Sequence, residues 1–302
     1  MLEARRFEQV VREVGASIIG QSPKIAPADR RLYALRDVTG TVESVPLIVA
    51  SILSKKLAAG SDGLVLDVKA GQGAFMRDLR AARELAQALV RTARDAGLPA
   101  VALITDMSIP IGRTVGNALE TREAIEVLRD QGPADTRELT LLLGVEMLLL
   151  AKRAKTPRAA RSLLEQRLAD GSALATFARM VRAHGGDARV VDDPELLPRA
   201  RFREPILAPR SGVVVGCDPR ELGFVAIQLG AGRQKATDRV DPAAGIELVH
   251  VVGERVQRGE PIAYLHASKR ALITQSAARA AAAFRIGPRA PKRRLVLERI
   301  VR

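Results

Sequence analysis

Aromatic residues and cysteine are scarce in this sequence of 302 residues. It contains no tryptophan, two tyrosines and six phenylalanines, so aromatic residues make up 3% of the chain. Proteins that bind single-stranded nucleic acid stack bases on aromatic side chains, and this chain has few to offer. Its one cysteine, Cys217, excludes an internal disulfide and is typical of a reducing compartment. We therefore expect a cytoplasmic protein.

Long apolar runs are absent as well. No uninterrupted apolar stretch approaches the roughly 18 residues that suggest a membrane-spanning helix. The opening segment, MLEARRFEQVVREVG, has charges scattered through it and lacks the apolar centre of a secretion signal. The sequence therefore predicts a protein with no membrane partner.

Acidic residues are fewer than basic ones. The chain has 34 aspartates and glutamates against 48 lysines and arginines, which gives a formal net charge of +14. A basic chain can bind nucleic acid, and tight, salt-dependent binding would reveal that alternative. Arginine and alanine are abundant along the whole chain, however, which indicates a compositional bias. The charge favours attraction of small anions such as phosphate over a nucleic-acid partner. The densest basic segment, residues 285–302, is expected to be a solvated tail.

The hydrophobic pattern predicts an α/β fold with an α+β C-terminal domain. Residues 1–58 have helical spacing and connectors, which indicates a segment of a helical lobe. Residues 59–190 alternate apolar strands with amphipathic helices, the order expected of a partial parallel α/β domain. Residues 200–302 contain short apolar segments broken by glycine and aspartate. They predict a small β-rich unit, similar to the barrel-sandwich fold of biotinyl and lipoyl carriers, within the C-terminal domain.

The stretch RDVTGTVESVPLIVASILSKKLAAG, residues 36–60, combines an apolar helix pattern with polar side chains. Ser51 and Lys55 are four residues apart and face the same side of that helix. A hydroxyl beside an ammonium can bind the carbonyl and N–H edges of a flat heterocycle, and the guanidinium of Arg36 could close the same pocket. Alternatively, Lys55 and Lys56 complement the carbonyl end of the helix, and Ser51 fills space. Spacing by itself favours the second interpretation.

Residues 33–76, YALRDVTGTVESVPLIVASILSKKLAAGSDGLVLDVKAGQGAFM, closely resemble the thymidine and pyrimidine-nucleoside phosphorylases. The shared pattern runs from an Arg-Asp-Val-Thr step through Ala-Ser-Ile-x-Ser-Lys-Lys to Asp-Val-Lys-x-Gly-x-Gly-Ala-Phe-Met. The likeness continues in TDMSIPIGRTVGNALETREAIEVL and LGFVAIQLGAGRQKATDRVDPAAGI and covers nearly the whole chain. It implies a homodimeric pentosyltransferase of pyrimidine salvage or catabolism. In the reaction, inorganic phosphate attacks C1′ of a pyrimidine nucleoside and releases the free base and a sugar 1-phosphate, with no organic cofactor.

The resemblance also implies which residues hold the base. In the family an arginine, a serine and a lysine do so, and these positions fall on Arg36, Ser51 and Lys55. The base leaves with negative charge on its carbonyl oxygens, so the two cations, Lys55 and Arg36, are the catalytic candidates. The side chains that shape the pocket fall on Tyr33, Ile48, Ile52 and Phe75.

Some family members bind a monovalent cation such as potassium in their hinge. Its ligands fall on the backbone oxygens of Ile111 and Thr114 and on the carboxylate of Glu123. An ordinary charge on a helix face explains Glu123 equally well. The glycine turn GAGRQ, residues 230–234, resembles another family motif, although a short glycine turn is weak evidence for phosphate binding.

The phosphate ligands of the family have no counterpart here. Family members carry a loop of the Lys-His-Ser-Thr-Gly-Gly type that holds phosphate through backbone N–H groups, hydroxyls and a lysine. No such motif occurs in the 302 residues, and the nearest string, AHGGDA around His184, lacks the lysine and the hydroxyls. We expect a truncated sequence, a remnant that binds pyrimidine without catalysis, or one half of a split enzyme. His184 is expected to be solvated or capping, and His250 and His266 are expected to be structural.

Overall fold

The computed structural model describes residues 4–18, 26–29, 44–233, 235 and 237–301. Among these residues, helices alternate with strands that form sheets of three, four and three strands. The predicted α/β fold with a mixed C-terminal domain is therefore confirmed. No helix in the described part of the chain is long and apolar enough to cross a membrane.

Helices α1 (Ala4–Val14) and α2 (Val45–Ala58) precede the first strand. Pro46 lies in the first turn of α2, where its fixed φ suits a helix start and its missing N–H has no partner to lose. Gly60 follows the end of α2 at φ +68°, a conformation that glycine adopts without strain. Helix α2 packs against the helix that follows the first strand and buries Val49 and Leu53 there.

The first sheet has a parallel pair at its centre. Strand β1 (Leu64–Ala70) pairs with β2 (Ala100–Asp106) over seven residues, and helix α3 (Leu79–Asp95) connects them. Asp78 caps α3 by accepting a hydrogen bond from the N–H of Ala81 at 2.8 Å. The strand–helix–strand order read from the sequence is thus confirmed as a parallel unit.

The C-terminal segment completes this sheet. Strand β10 (Val296–Ile300) pairs antiparallel with β2, whose residues are all buried. The expectation of a solvated tail is therefore wrong for these residues. Two of its exposed arginines form ion pairs, Arg293 with Asp106 and Arg299 with Glu146. A buried strand needs hydrogen-bond partners along both edges, and the chain end provides the second set for β2.

Four helices and two short 3₁₀ turns lie between the first sheet and the C-terminal sheets. The helices are α4 (Asn117–Leu128), α5 (Ala134–Leu150), α6 (Pro157–Ala169) and α7 (Ser172–Ala183). The 3₁₀ turns are Ala188–Val191 and Pro194–Leu196. Helix α5 packs against β1 and α6, which covers the face of the first sheet opposite α3.

The C-terminal part has two small antiparallel sheets around one apolar core. The four-stranded sheet has the order β3 (Thr114–Val115), β6 (Gly245–Leu248), β8 (Pro261–Ala267), β4 (Phe202–Leu207). The three-stranded sheet has the order β7 (Arg255–Val256), β5 (Gly212–Cys217), β9 (Phe284–Gly287). The helices of this part are α8 (Pro219–Leu229) and α9 (Arg270–Ala282). Strand β3 precedes α4 in the chain, so the segment before α4 is anchored on the C-terminal sheet.

Candidate functional site

A cavity of about 400 Å³ opens at the carboxyl end of β1, between α2, the start of α3 and the glycine turn that joins β1 to α3. In open α/β sheets, ligands bind beyond the carboxyl ends of parallel strands. The residues that line the cavity are Ile48, Ser51, Ile52, Asp67, Val68, Lys69, Gly73, Ala74, Phe75, Met76, Leu85 and Met107.

Helix α2 contributes one face to this cavity. Ile48, Ser51 and Ile52 are three and four residues apart, so they lie together on one side of the helix. Ser51 is 7% exposed, whereas Phe75 is 68% exposed on the glycine turn. The structure thus brings four of the pocket residues expected from the sequence, Ile48, Ser51, Ile52 and Phe75, around one cavity. Tyr33 and Arg36 lie outside the described residues.

Lys55 lies one turn beyond Ser51 and contacts the cavity through it. Its Nζ donates to the Ser51 hydroxyl at 2.9 Å, to the Ser51 carbonyl at 2.8 Å, and to Oδ2 of Asp29 at 2.5 Å. These three bonds use every N–H of the ammonium. Among the contacts of the described residues, Ser51 Oγ accepts from Lys55 and donates to no partner, so its O–H can donate towards the cavity. The bond from Lys55 to the Ser51 carbonyl fits the interpretation in which Lys55 complements the carbonyl end of the helix. The bond from Lys55 to the Ser51 hydroxyl does not follow from that interpretation.

Asp29 was missed by the sequence reading. Its side chain is mostly buried and serves as the counter-ion of Lys55. The two residues are 26 positions apart, so no local pattern in the sequence paired them.

A second polar group at the cavity, around Asp67, was also missed. Asp67 Oδ2 accepts from Lys69 Nζ at 2.5 Å, and Oδ1 accepts from the fully buried hydroxyl of Thr105 at 2.5 Å. Both carboxylate oxygens are therefore paired. The signal in the sequence is DVK directly before a glycine turn, since the end of a parallel strand is where ligand-binding side chains collect.

The glycine turn is held against the segment that follows β2. Gly71 has φ +126°, and a Cβ there would lie 2.7 Å from the backbone nitrogen of Ser108. The N–H of Gly73 donates to the carbonyl of Met107 at 3.0 Å. Only glycine permits this approach at position 71, so the two turns form one wall of the cavity.

Glu123, expected as a cation ligand, is buried at 7% exposure on α4. Its Oε2 accepts from the N–H of Arg113 at 2.7 Å and from the Thr114 hydroxyl at 3.0 Å, and its Oε1 accepts from the Thr136 hydroxyl at 3.1 Å. Glu123 is therefore not an ordinary exposed charge of a helix face. It ties the segment before α4 to α5, and it brings two of the three expected ligand residues, Thr114 and Glu123, into contact.

His184, His266 and Cys217 do not line the cavity. His184 follows α7 and its ring contacts the Ser17 hydroxyl at 2.9 Å, while His266 pairs with Glu247. Burial, with a smaller effect of the Asp218 charge, raises the pKa of the Cys217 thiol to about 12. Among the described residues, no group of three or more His, Cys, Asp or Glu side chains could hold a metal ion.

The glycine turn after α8 is not placed to bind phosphate by a helix dipole. Gly230 ends α8 at φ +109°, so the turn lies at the carbonyl, negative end of that helix. Gln234 of this turn lies outside the described residues.

Comparison with known proteins places these features in a family. Residues 1–174 match the model of the glycosyl transferase family, a/b domain, and residues 213–287 match the pyrimidine nucleoside phosphorylase C-terminal domain. The pyrimidine-nucleoside phosphorylase of Bacillus subtilis (strain 168) is 48% identical over 263 residues, which covers 87% of this chain and 61% of that protein. That of Staphylococcus aureus (strain USA300) is 45% identical over 268 residues, which covers 89% of this chain and 62% of that protein.

This chain thus spans about three fifths of the length of the relatives it matches. Within that span, the two matched domains occur in the same chain and in the order a/b domain, then C-terminal domain. The chain therefore belongs to the glycosyl transferase family defined by this a/b domain, in the group related to the pyrimidine-nucleoside phosphorylases.

Proposed function

We propose that this chain is a pyrimidine-nucleoside phosphorylase of the thymidine phosphorylase type. The observation that carries the proposal is the polar pair of Ser51 and Lys55 at the edge of an otherwise largely apolar cavity. A pyrimidine has two apolar faces and a polar edge of carbonyl and N–H groups, which suits such a cavity. The name of the relatives, pyrimidine-nucleoside phosphorylase, supports the same substrate class.

The apolar side chains would hold the faces of the base. Ile48 and Ile52 lie on the α2 side of the cavity, and Phe75 lies on the glycine turn. Apolar walls exclude water and lower the local dielectric, which strengthens any hydrogen bond to the base edge. Ser51 would donate its hydroxyl hydrogen to a base carbonyl, and this contact would fix the orientation of the ring.

Lys55 and Arg36 would act on the charge that develops during cleavage. A phosphate oxygen forms a bond to C1′ while the bond from C1′ to the base nitrogen breaks, and the electron pair leaves with the base. Negative charge then spreads onto the carbonyl oxygens of the base. The Lys55 ammonium, bonded to Ser51 Oγ, strengthens the hydroxyl as a donor to these oxygens. Such a donor stabilises the transition state more than the ground state.

Three further features of the proposed enzyme come from the family resemblance. Inorganic phosphate is the co-substrate, and its ligands are not assigned to residues of this chain. A monovalent cation such as potassium would bind at Ile111, Thr114 and Glu123, where three hydrogen bonds leave the carboxylate about one more acceptor position. The enzyme would act as a homodimer in the cytoplasm. The free, buried Cys217 suits the reducing conditions of that compartment.

A second candidate function is pyrimidine binding without catalysis, or catalysis only together with another polypeptide. It is favoured by the absence of a Lys-His-Ser-Thr-Gly-Gly motif from the 302 residues. Both candidates use the same cavity and differ in whether phosphate is bound and activated.

The test is phosphorolysis by the purified chain with thymidine and with uridine, each with and without phosphate, followed by release of free base. Binding of thymine and uracil is measured by calorimetry on the same sample. Phosphate-dependent release supports the phosphorylase, and base binding without release supports the second candidate. A sample that shows no release of base and no binding of base would contradict both candidates.

A further inference from the structure

The C-terminal strap, defined here as residues 288–300, runs from the end of β9 back to the first sheet and ends as β10. It lies outside the two ranges that match family models, residues 1–174 and 213–287. The strap passes the carboxyl end of β2, which adjoins the cavity wall. Its residues therefore have access to the segment that shapes the cavity.

Arg293 of the strap binds the last residue of β2. Its Nε lies 2.8 Å and its Nη2 lies 2.6 Å from Oδ2 of Asp106, whose side chain is almost fully buried. The N–H of Asp106 also donates to the carbonyl of Leu295 at 3.0 Å. Two independent contacts thus attach the strap to this one residue.

Asp106 in turn holds the segment that follows it. Its other oxygen, Oδ1, accepts from the N–H of Ser108 at 2.9 Å. Met107, between them, donates its N–H to the carbonyl of Ala70 at 2.7 Å and accepts from Gly73 at 3.0 Å. Met107 and Gly73 both line the cavity. These hydrogen bonds, together with the backbone of residues 106–108, therefore connect Arg293 to the cavity wall.

The charge state of Asp106 suits this role. Burial opposes its ionisation, but the hydrogen bonds from Ser108 and the nearby guanidinium of Arg293 outweigh burial and hold the pKa of the carboxyl below its ordinary value. An ionised Asp106 accepts stronger, shorter hydrogen bonds than a neutral one. Loss of Arg293 would leave this buried carboxylate without its counter-ion.

We propose that Arg293 is a positioning residue of the cavity, which acts through Asp106 to hold Met107 and Ser108 in the conformation that forms the cavity wall. That the ligand held there is a pyrimidine base rests on the proposed function. The role of the strap in placing the cavity wall is independent of the proposed function.

A matched control is available in the strap itself. Arg83 of α3 pairs with Glu298 of β10, with its Nη2 2.7 Å and its Nε 2.8 Å from Oε2. This pair also attaches the strap to the first sheet. In the described part of the chain, neither Arg83 nor Glu298 is bonded to Asp106 or Met107. Removal of Arg83 therefore reproduces a general loosening of the strap without the specific effect on the wall.

The first test measures amide hydrogen exchange by NMR in the full chain and does not depend on any ligand. Arg293→Ala should speed exchange at the amides of Gly73, Met107 and Ser108 by about tenfold, since local opening becomes easier. Arg83→Ala should leave these three amides near their wild-type rates. Equal rates in wild type and Arg293→Ala, or equal acceleration in both variants, would overturn the proposal.

The second test measures the Kd of thymine and uracil. We expect about tenfold weaker binding for Arg293→Ala, partial rescue by Arg293→Lys, which keeps the charge but loses the planar fork, and wild-type affinity for Arg83→Ala. Should Arg293→Ala fail to fold, Arg293→Gln replaces it in both tests. Wild-type affinity in a folded Arg293 variant would overturn the proposal. If the wild type binds neither base, the proposed function fails, and the exchange rates still decide the role of Arg293.

Discussion

The ammonium nitrogen of Lys55 lies 2.5 Å from a carboxylate oxygen of Asp29. This pair keeps a lysine of the expected base site in one position, with its remaining donors on Ser51. The arrangement makes Ser51 the group that faces the cavity and Lys55 the charge behind it. It also explains how a partly buried ammonium is tolerated beside apolar side chains, since its charge is paired and its donors are used.

The pair leads to a prediction on base binding. Lys55→Ala should weaken thymine binding by about tenfold or more, because Ser51 loses the charge that strengthens its hydroxyl. Asp29→Asn should weaken it less, because Lys55 keeps both contacts with Ser51. In an enzyme with a complete phosphate site, Lys55→Ala or Arg36→Ala should lower turnover by roughly two to three orders of magnitude. Calorimetry and initial rates are the measurements, and wild-type values for Lys55→Ala would contradict the assignment.

Gly112 is predicted to be a position where alanine is strongly unfavourable. It has φ +75°, and a Cβ there would lie 1.8 Å from Oε1 of Glu123, within a buried hydrogen-bond network. Gly112→Ala should lower the free energy of unfolding by about 2–4 kcal/mol, from backbone strain and broken hydrogen bonds. Gly97 is the control, because it has a similar φ of +80° and an added Cβ would meet nothing within 4 Å. Gly97→Ala should lower the free energy of unfolding by about 1 kcal/mol. Urea titration of both variants is the measurement. Equal losses would contradict the role of the Glu123 contact.

The attachment of β10 by Arg299 is predicted to contribute to stability. Arg299 donates to both oxygens of the buried carboxylate of Glu146, at 2.6 and 2.8 Å. Arg299→Ala should lower the free energy of unfolding by about 1–3 kcal/mol, because a buried charge loses its partner. Arg189→Ala, which removes an exposed pair with Asp187, should change it far less, because solvent screens an exposed pair. Urea unfolding of both variants decides the matter, and a loss no larger for Arg299→Ala than for Arg189→Ala would count against it.

Acid stability is predicted to depend on Glu247. The hydrogen bond with His266 is the largest cause, and with Arg203 it lowers the pKa of Glu247 to about 2 despite the opposing effect of burial. The carboxylate of Glu126 carries the same negative charge as Glu247 and repels it. Because the folded-state pKa lies below the ordinary value of 4.5, the contribution of Glu247 is complete above that value. It is lost as the pH falls towards about 2.

The measurement is thermal unfolding of wild type and Glu247→Gln between pH 6 and pH 2. The wild type should have the higher Tm at pH 6, and the two curves should converge as the pH falls. A constant difference in Tm across this range would show that Glu247 acts by packing rather than by charge.

Several parts of the fold and site could be predicted from local pattern. The strand at β1, the helix α3 and the strand β2 were evident because an apolar period of two or 3.6 residues reports directly on local geometry. The common face of Ile48, Ser51 and Ile52 follows from helical spacing in the same way. The tail was misread because it contains many arginines and β10 is only five residues long, and because the partner strand lies almost two hundred residues earlier.

The sequence by itself determined the local elements, the apolar face of α2 and the residue types available to bind a base. These depend on interactions between near neighbours, which the order of residues specifies. Only the tertiary structure decided that Asp29 pairs with Lys55, that Glu123 is buried against Thr136, and that Arg293 reaches Asp106. Each of these contacts joins residues from different segments, and its formation requires the whole chain to pack, because charge and hydrogen-bond partners are chosen by proximity in space.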